Sequence, residues 1–279
     1  MMSEATTNVA QRTRPARPQA VLTVLHQERV SPHTVRITAG GLGFEALRMN
    51  DFTDKYAKIT FADPSRGLTP PYDLQALRES LPPHLRPVTR TYTLRQADVK
   101  RQQLAIDFVV HGDEGIAAPW AAHAEPGDIL TLSGAGGAYR PDPGSDWHLF
   151  AGDESALPAI CSAVEVLPAD ARGIAYLETC DPGEYLDATA PQGMEVIWLH
   201  RPEPGSQPRL LADALLAGAW LPGRVDVFAH GERESMKAVR AALKERLGEG
   251  DQLSLSGYWA SGRTEDVFQS EKRQPIGQI

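Results

Sequence analysis

Residues 90–120 read RTYTLRQADVKRQQLAIDFVVHGDEGIAAPW, and the fold of the chain is decided by how this stretch is read. The β-branched and aromatic residues of RTYTLR and of QLAIDFVVH mark two strands. HGDEG then supplies a glycine turn into a helix start, with His111 closing the second strand. Arg90, Tyr92 and Thr93 project from the first strand and suit a planar, phosphate-bearing cofactor. Arg90 can pair bidentately with a pyrophosphate, Tyr92 offers a flat face with a hydroxyl tip, and Thr93 can bond a ring nitrogen or carbonyl. Gly112 and Gly115 let the backbone turn tightly, so that the amides of 116–118, which include Ala117 and Ala118, open a helix and can meet phosphate oxygens.

On the N-terminal side, short alternating runs around Val21–Leu25, HTVRITA and KYAKITF read as strands separated by turn residues such as Gly40-Gly41 and Asp63-Pro64. Another follows at 128–133. Six strands with no long helix between them predict an antiparallel barrel. The connection between Asp63 and Thr89 carries Pro64, Pro70, Pro71, Pro82, Pro83 and Pro87 around a short helix at 73–80. A connection of that length predicts a lid or a binding loop. Residues 1–19, with Arg12, Arg14 and Arg17 and no apolar centre, read as a disordered arm.

Beyond Gly144 the rhythm changes. WHLFAGD is an almost continuously apolar strand, followed by the helical SALPAICSAVEVL and the strands GIAYLETC and MEVIWLH. A helix at 208–217, the strand RVDVFAH, a long helix at 232–247 and the strand QLSLSGYW complete the series. Met236, Val239, Leu243 and Leu247 recur at helical spacing, so the long helix lays one face on a sheet. The expected organisation is the arm, a barrel domain over 20–142, an α/β domain with a parallel sheet over 146–263, and a C-terminal tail over 264–279.

The 279 residues are enough for two cores, and 42% hydrophobic with 23% charged residues is a globular composition. A formal charge of −8 argues against a nucleic-acid or anionic-membrane surface and leaves room for one local basic pocket. No apolar run reaches the ~20 residues of a membrane helix, so no membrane insertion is expected. Cys161 and Cys180 make neither a metal spacing nor a disulfide framework. Reduced, buried thiols and a cytoplasmic location are the expectation. SGAGGAY lacks the ending of a phosphate loop, and no GxGxxG follows WHLFAGD; Gly134–Gly137 is read as a tight passage beside the cofactor.

Four motifs in this order, RTYTLR, DFVVHGDEGIAAPWA, HLFAGDESALPAI and SGYWASGRTED, closely resemble the siderophore-interacting protein family of FAD-dependent ferric-siderophore reductases, within the ferredoxin-reductase-like superfamily. The resemblance spans about 20–279. It implies an FAD-binding barrel joined to a nicotinamide-binding α/β domain. Carried over by position, it assigns Arg90, Tyr92 and Thr93 to the flavin strand, and His111, Gly112, Gly115, Ala117, Ala118 and Trp120 to a second flavin segment. Asp107 stands with these as a cofactor contact, or else as a structural partner for an arginine. For His111 a structural hydrogen-bonding role and a catalytic one both stay open. Asp153, Glu154 and Ser155 in GDESALPA match the segment opening the nicotinamide domain, Lys58 a lysine at the siderophore pocket, and Tyr258 and Trp259 an aromatic pair near flavin and substrate.

Two departures from the family pattern stand out. Gly136 replaces a common arginine, and Ala260 and Ser261 replace basic residues. Lys58, Arg140, Arg263, Lys272 and Arg273 are the remaining basic candidates at a substrate mouth, and Arg263 is the one assigned there. The loss of charge predicts a preference for weakly charged ferric siderophores over a tricatecholate complex. The implied activity is NAD(P)H-driven reduction of a ferric siderophore by a monomer, with cofactors carrying the chemistry and no catalytic side chain. A ferredoxin-reductase-type enzyme with a protein acceptor, or a non-catalytic siderophore-binding flavoprotein, are the alternatives. NADPH and NADH are not distinguished; Arg201, Arg233 and Lys237 are candidates to meet a ribose 2′-phosphate.

Overall fold

The computed structural model describes residues 18–110, 112, 115–185, 187–201 and 207–279. The expected arm lies outside them as far as residue 17, and so does His111. The N-terminal half consists of β1 (Gln19–Ser31), β2 (Thr34–Gly40), β3 (Tyr56–Phe61), α1 (Leu74–Ser80), β4 (Val88–Asp98), β5 (Gln103–Val109), α2 (Ala117–His123) and β6 (Ile129–Gly136). The strands close in the order β1-β2-β5-β4-β3-β6, every pair antiparallel. Alternation drives the closure. Ala20, Leu22 and Val24 of β1 point inward, as do Ile59, Leu94, Ile106 and Leu132 of the others. Each buried aliphatic side chain stabilises the fold by roughly 1.5–3 kcal/mol, and closing the barrel leaves no edge strand exposed.

The helix start foreseen after HGDEG is α2. Ala117 and Ala121 sink into the barrel core, and Trp120 meets Phe61 edge-on with ring centroids 5.5 Å apart. The proline-rich connection differs from expectation. Asp73 caps α1 through the amides of Gln75 and Ala76, and the Gln19 side chain clamps both backbone groups of Tyr72 at 2.8 and 2.7 Å. That ties the connection to the start of β1, and none of its residues reaches the central cavity described below.

The C-terminal half runs β7 (Trp147–Gly152), α3 (Leu157–Val164), β8 (Arg172–Thr179), β9 (Gly193–His200), α4 (Leu210–Ala217), β10 (Val225–Glu232), α5 (Arg233–Lys244) and β11 (Gln252–Trp259). These strands make a parallel sheet in the order β11-β10-β7-β8-β9. β7 and β10 are buried along their whole length. This explains their unbroken apolar reading. Leu149, Ile174 and Val227 face α4 and α5, which bring Leu211, Leu215, Met236 and Val239. Phe150, Ala175 and Phe228 face α3 on the other side.

The stretch after Trp259 is a folded element. α6 (Glu265–Glu271) is capped by the Thr264 side chain, buries Phe268, and is pinned by an Arg233–Glu271 pair at 2.5 Å. Several contacts lock the barrel to the sheet. Tyr139 donates to Asp226 at 3.0 Å, Arg95 pairs with Glu165 at 2.5 Å, and Arg36 bridges Asp107 and Asp187 at 2.6 and 2.7 Å.

Candidate active site

A cavity of about 790 Å³ lies where β3 and β4 face the carboxyl ends of β10 and β11. Its size falls within the range of cofactor and substrate sites. On the barrel side Lys58, Arg90, Tyr92 and Thr93 line it, together with Thr91, which stands opposite Lys58 in register. On the sheet side stand Glu154, Ser155, Tyr258 and Trp259. Residues of all four motifs therefore line one space.

The barrel-side cations have no close carboxylate partner, although Arg90 also donates to the Thr89 carbonyl at 2.9 Å. Lys58 Nζ has Thr91 Oγ1 at 3.3 Å, and Arg90 has Asp266 of α6 at 3.5 Å, where Asp266 is largely exposed. Tyr92 packs on Phe108 with ring centroids 4.4 Å apart, and burial pushes its hydroxyl up to about 12, so it stays a neutral donor. Tyr258 is partly buried with its hydroxyl within reach of the Thr93 side chain, and desolvation raises its pKa as well.

The sheet-side groups are organised by Asp153, which is buried behind the cavity wall. Its Oδ2 accepts from Trp259 Nε1 and from the Glu232 amide, each at 2.8 Å, and its Oδ1 from the Ser155 amide at 3.0 Å. Burial holds this carboxyl above the ordinary range, while the donors work in the opposite direction. A Cβ at Gly231 would lie 2.8 Å from Asp153 Oδ2, on a backbone with φ 156°, so glycine is required for this approach. Asp153 thus orients Ser155 and Trp259 without itself facing the cavity.

Glu154 accepts from Arg201 at 2.6 Å and from the Cys180 amide at 2.8 Å. Burial opposes its ionisation, yet the Arg201 hydrogen bond keeps its pKa below the usual value. Arg201 also donates to Glu178 at 2.9 Å, and burial pushes Glu178 up to about 7. Two carboxylates therefore consume this arginine. Arg233 is spent on Glu234 and Glu271, and Lys237 on Glu234 and the Ile276 carbonyl. None of the three lines the cavity, so none stands ready for a 2′-phosphate there.

Other expected contacts are placed elsewhere. Asp107 borders the cavity but is held by Arg36 Nε and Nη2 at 2.6 and 2.8 Å, the cross-strand partner that β2 and β5 set opposite it. Gly112 and Gly115 adopt positive φ (59° and 82°), and neither they nor Ala117, Ala118 and Trp120 line the cavity. Arg263 is turned onto Glu271 at 2.8 Å. Lys272, at the end of α6, lines the cavity in its stead, with Glu265 and Gln269 from the same helix. Gly136 cannot carry a side chain without displacing Tyr56, since a Cβ there would meet that ring. His230 and Ser254 were not foreseen. Ser254, Ser256 and Tyr258 alternate on one face of β11, a period-two signal that is visible once β11 is known to border the site.

Residues 23–139 match the siderophore-interacting FAD-binding domain family, and 145–262 match the siderophore-interacting protein family. A siderophore utilization protein from T. fusca is 35% identical with a TM-score of 0.75, covering 88% of this chain and 94% of that one. The ferric vibriobactin reductase ViuB of Vibrio cholerae is 33% identical over 90% of this chain and 93% of its own length. The NADPH-dependent ferric-chelate reductase of Escherichia coli is 29% identical over 85% and 91%. The cytochrome b5 reductase domain of Ulva prolifera nitrate reductase, 14% identical with a TM-score of 0.58 over 87% of this chain and 96% of that one, shares the fold. A closed antiparallel barrel, a parallel sheet behind it, and both motif sets meeting in one cavity agree with these matches: the chain belongs to the siderophore-interacting protein family.

Proposed function

We propose that the protein is an oxidoreductase that uses FAD and NAD(P)H to reduce a ferric siderophore and release Fe(II). The observation that carries the proposal is the cavity. It places cations without a close carboxylate partner, a hydroxyl donor and flat aromatic faces between a barrel matched to an FAD-binding family and the carboxyl edge of a parallel sheet. These residues fit a flavin dinucleotide. Arg90 would meet a phosphate in place of the exposed Asp266, and Thr93 and Tyr258 would supply hydroxyls at the ring. A flavin held there would supply the chemistry that links two-electron hydride donation by a nicotinamide to single-electron reduction of Fe(III).

The remaining work falls to the chain. Lys58 and Lys272 attract an anionic chelate to the mouth, Asp153 holds Trp259 against the site, and α6 narrows access to water. Reduction to Fe(II) weakens a chelate built of hard oxygen donors, which frees the metal. Lys272 restores part of the charge missing at Gly136, Ala260 and Ser261, so the preference for weakly charged siderophores is read as a moderate one. No helix among the described residues is long and apolar enough to cross a membrane. We place the enzyme in the cytoplasm as a monomer, with one barrel and one sheet forming each site.

Anaerobic incubation of the FAD-loaded protein with NADPH or NADH and a ferric siderophore, with a ferrous chelator as trap, tests the proposal. Ferrous complex accumulating with at least one dinucleotide is the expected result. Flavin reduction without ferrous release would point to a protein acceptor, and no flavin reduction would leave a binding protein.

A further inference from the structure

His230 lies near the carboxyl end of β10, just before Gly231 and the Glu232 that caps α5. Its ring is buried and stacked flat on Phe228 (centroids 3.9 Å apart, 12°), and the Tyr258 ring meets it edge-on at 4.9 Å. Nε2 lies 2.9 Å from Ser254 Oγ. Nδ1 is buried with no hydrogen-bond partner, although the residue lines the cavity. A buried polar atom left unpaired is destabilising, and the cavity that the residue lines is where a completing polar atom can come from.

The chemistry of the ring narrows that partner. Burial, reinforced by the charge of Lys272, pushes the imidazole down to about 3, so it is neutral across the working range of pH. A neutral imidazole offers one donor and one acceptor. The Ser254 hydroxyl can rotate to satisfy either nitrogen state, so Nδ1 is free to play the complementary role. A phosphate or a carboxylate is a poor match, and the cavity already has Lys58, Arg90 and Lys272 for anions. An amide group carries both N–H and C=O on a rotatable bond and fits either tautomer. Position favours the nicotinamide over the flavin. His230 sits on the carboxyl edge of the parallel sheet, where dinucleotides lie, and Tyr258 stands between it and Thr93 of the barrel.

We propose that His230 Nδ1 hydrogen-bonds the carboxamide of the nicotinamide ring and thereby positions that ring for hydride transfer, an assignment that rests on the NAD(P)H-dependent reading above. His230 is a positioning residue in this role, with Ser254 holding Nε2 and Phe228 fixing the plane of the ring.

The test uses the FAD-loaded full chain and two variants. His230→Phe keeps the ring stacked on Phe228 and removes both nitrogens. His230→Asn places an amide near the position of Nδ1. In anaerobic rapid mixing, His230→Phe should lower the rate of flavin reduction by saturating NAD(P)H about tenfold, the worth of one hydrogen bond. His230→Asn should recover most of that loss, and dithionite should reduce all three proteins alike. A readout independent of turnover comes from 15N-labelled histidine in the wild type. The Nδ1 resonance of His230 should move on addition of the oxidised dinucleotide and stay in place with ADP-ribose, which lacks the nicotinamide. Equal hydride rates in all three proteins, or a resonance that ADP-ribose shifts as far as the dinucleotide does, overturns the role of His230 and leaves the functional reading standing. A wild-type flavin that neither dinucleotide reduces overturns that reading and this assignment together.

Discussion

The two walls of the cavity treat positive charge in opposite ways. On the barrel wall Lys58 and Arg90 are held by a hydroxyl at 3.3 Å and by an exposed carboxylate at 3.5 Å. On the sheet side Arg201 is locked between two buried carboxylates at 2.6 and 2.9 Å. A buried arginine with two carboxylate partners at short range is a structural element, whereas one whose carboxylate partner is exposed and 3.5 Å away can exchange that partner for a ligand. On the proposed reading, anion binding falls to the barrel wall and to Lys272 beyond α6, and the sheet wall is left to neutral hydrogen bonding through Ser155, Ser254 and His230.

The largest expected effect comes from removing the buried arginine. Arg201→Ala leaves Glu154 and Glu178 without a counter-charge and should lower stability by about 3–5 kcal/mol in urea unfolding. The preference between NADPH and NADH should not change. A changed preference with intact stability would move Arg201 from scaffold to nucleotide recognition.

Glu178 sharpens the same point through pH. Burial raises its pKa from 4.5 to about 7, so the native chain holds a proton that the unfolded chain has released. Stability contributed by this group is complete below pH ~4.5 and is lost as pH rises toward 7. Glu178→Gln should remove that slope, with a relative gain on the order of 3 kcal/mol above pH 7. Thermal midpoints measured from pH 4.5 to 8 would show the two curves converging at the acid end. Parallel curves would show that Glu178 titrates normally.

On the barrel wall, Arg90→Ala should weaken FAD binding roughly 10- to 100-fold, the range of a charge-assisted hydrogen bond, and leave the unfolding midpoint of the flavin-free protein nearly unchanged. The smallest effect belongs to the exposed pair Arg209–Asp213, at 2.6 Å on α4. Asp213→Ala should cost about 0.3–0.5 kcal/mol in the same unfolding assay. A loss as large as that of Arg201→Ala would undo the distinction between buried and exposed pairs.

Much of this was legible in the sequence. Alternating apolar residues in KYAKITF and QLAIDFVVH announce strands with one buried face, and the unbroken apolar runs of WHLFAGD and RVDVFAH announce strands buried on both. The nine candidates that do converge on the cavity come from strand ends and register neighbours, where spacing alone constrains direction. What could not be read was which charges neutralise each other. Asp107 meets Arg36 only because β2 pairs with β5, and Arg201 meets Glu154 across 47 residues of chain. The exchange of Arg263 for Lys272 follows from α6, whose capping signal, Thr264 followed by Glu265 and Asp266, was present in SGRTED but reads as a tail without the helix it starts. His230 gave no signal at all, since a lone histidine at a strand end is ordinary until its unpaired nitrogen is seen.

The account stands on flavin binding in the cavity between barrel and sheet. Titration of the flavin-free protein with FAD, followed by flavin fluorescence, tests it directly. The account predicts saturation at a single equivalent, with affinity lowered in Arg90→Ala and unaffected in Asp213→Ala. A chain that fails to bind FAD, or that binds it equally well without Arg90, would contradict it.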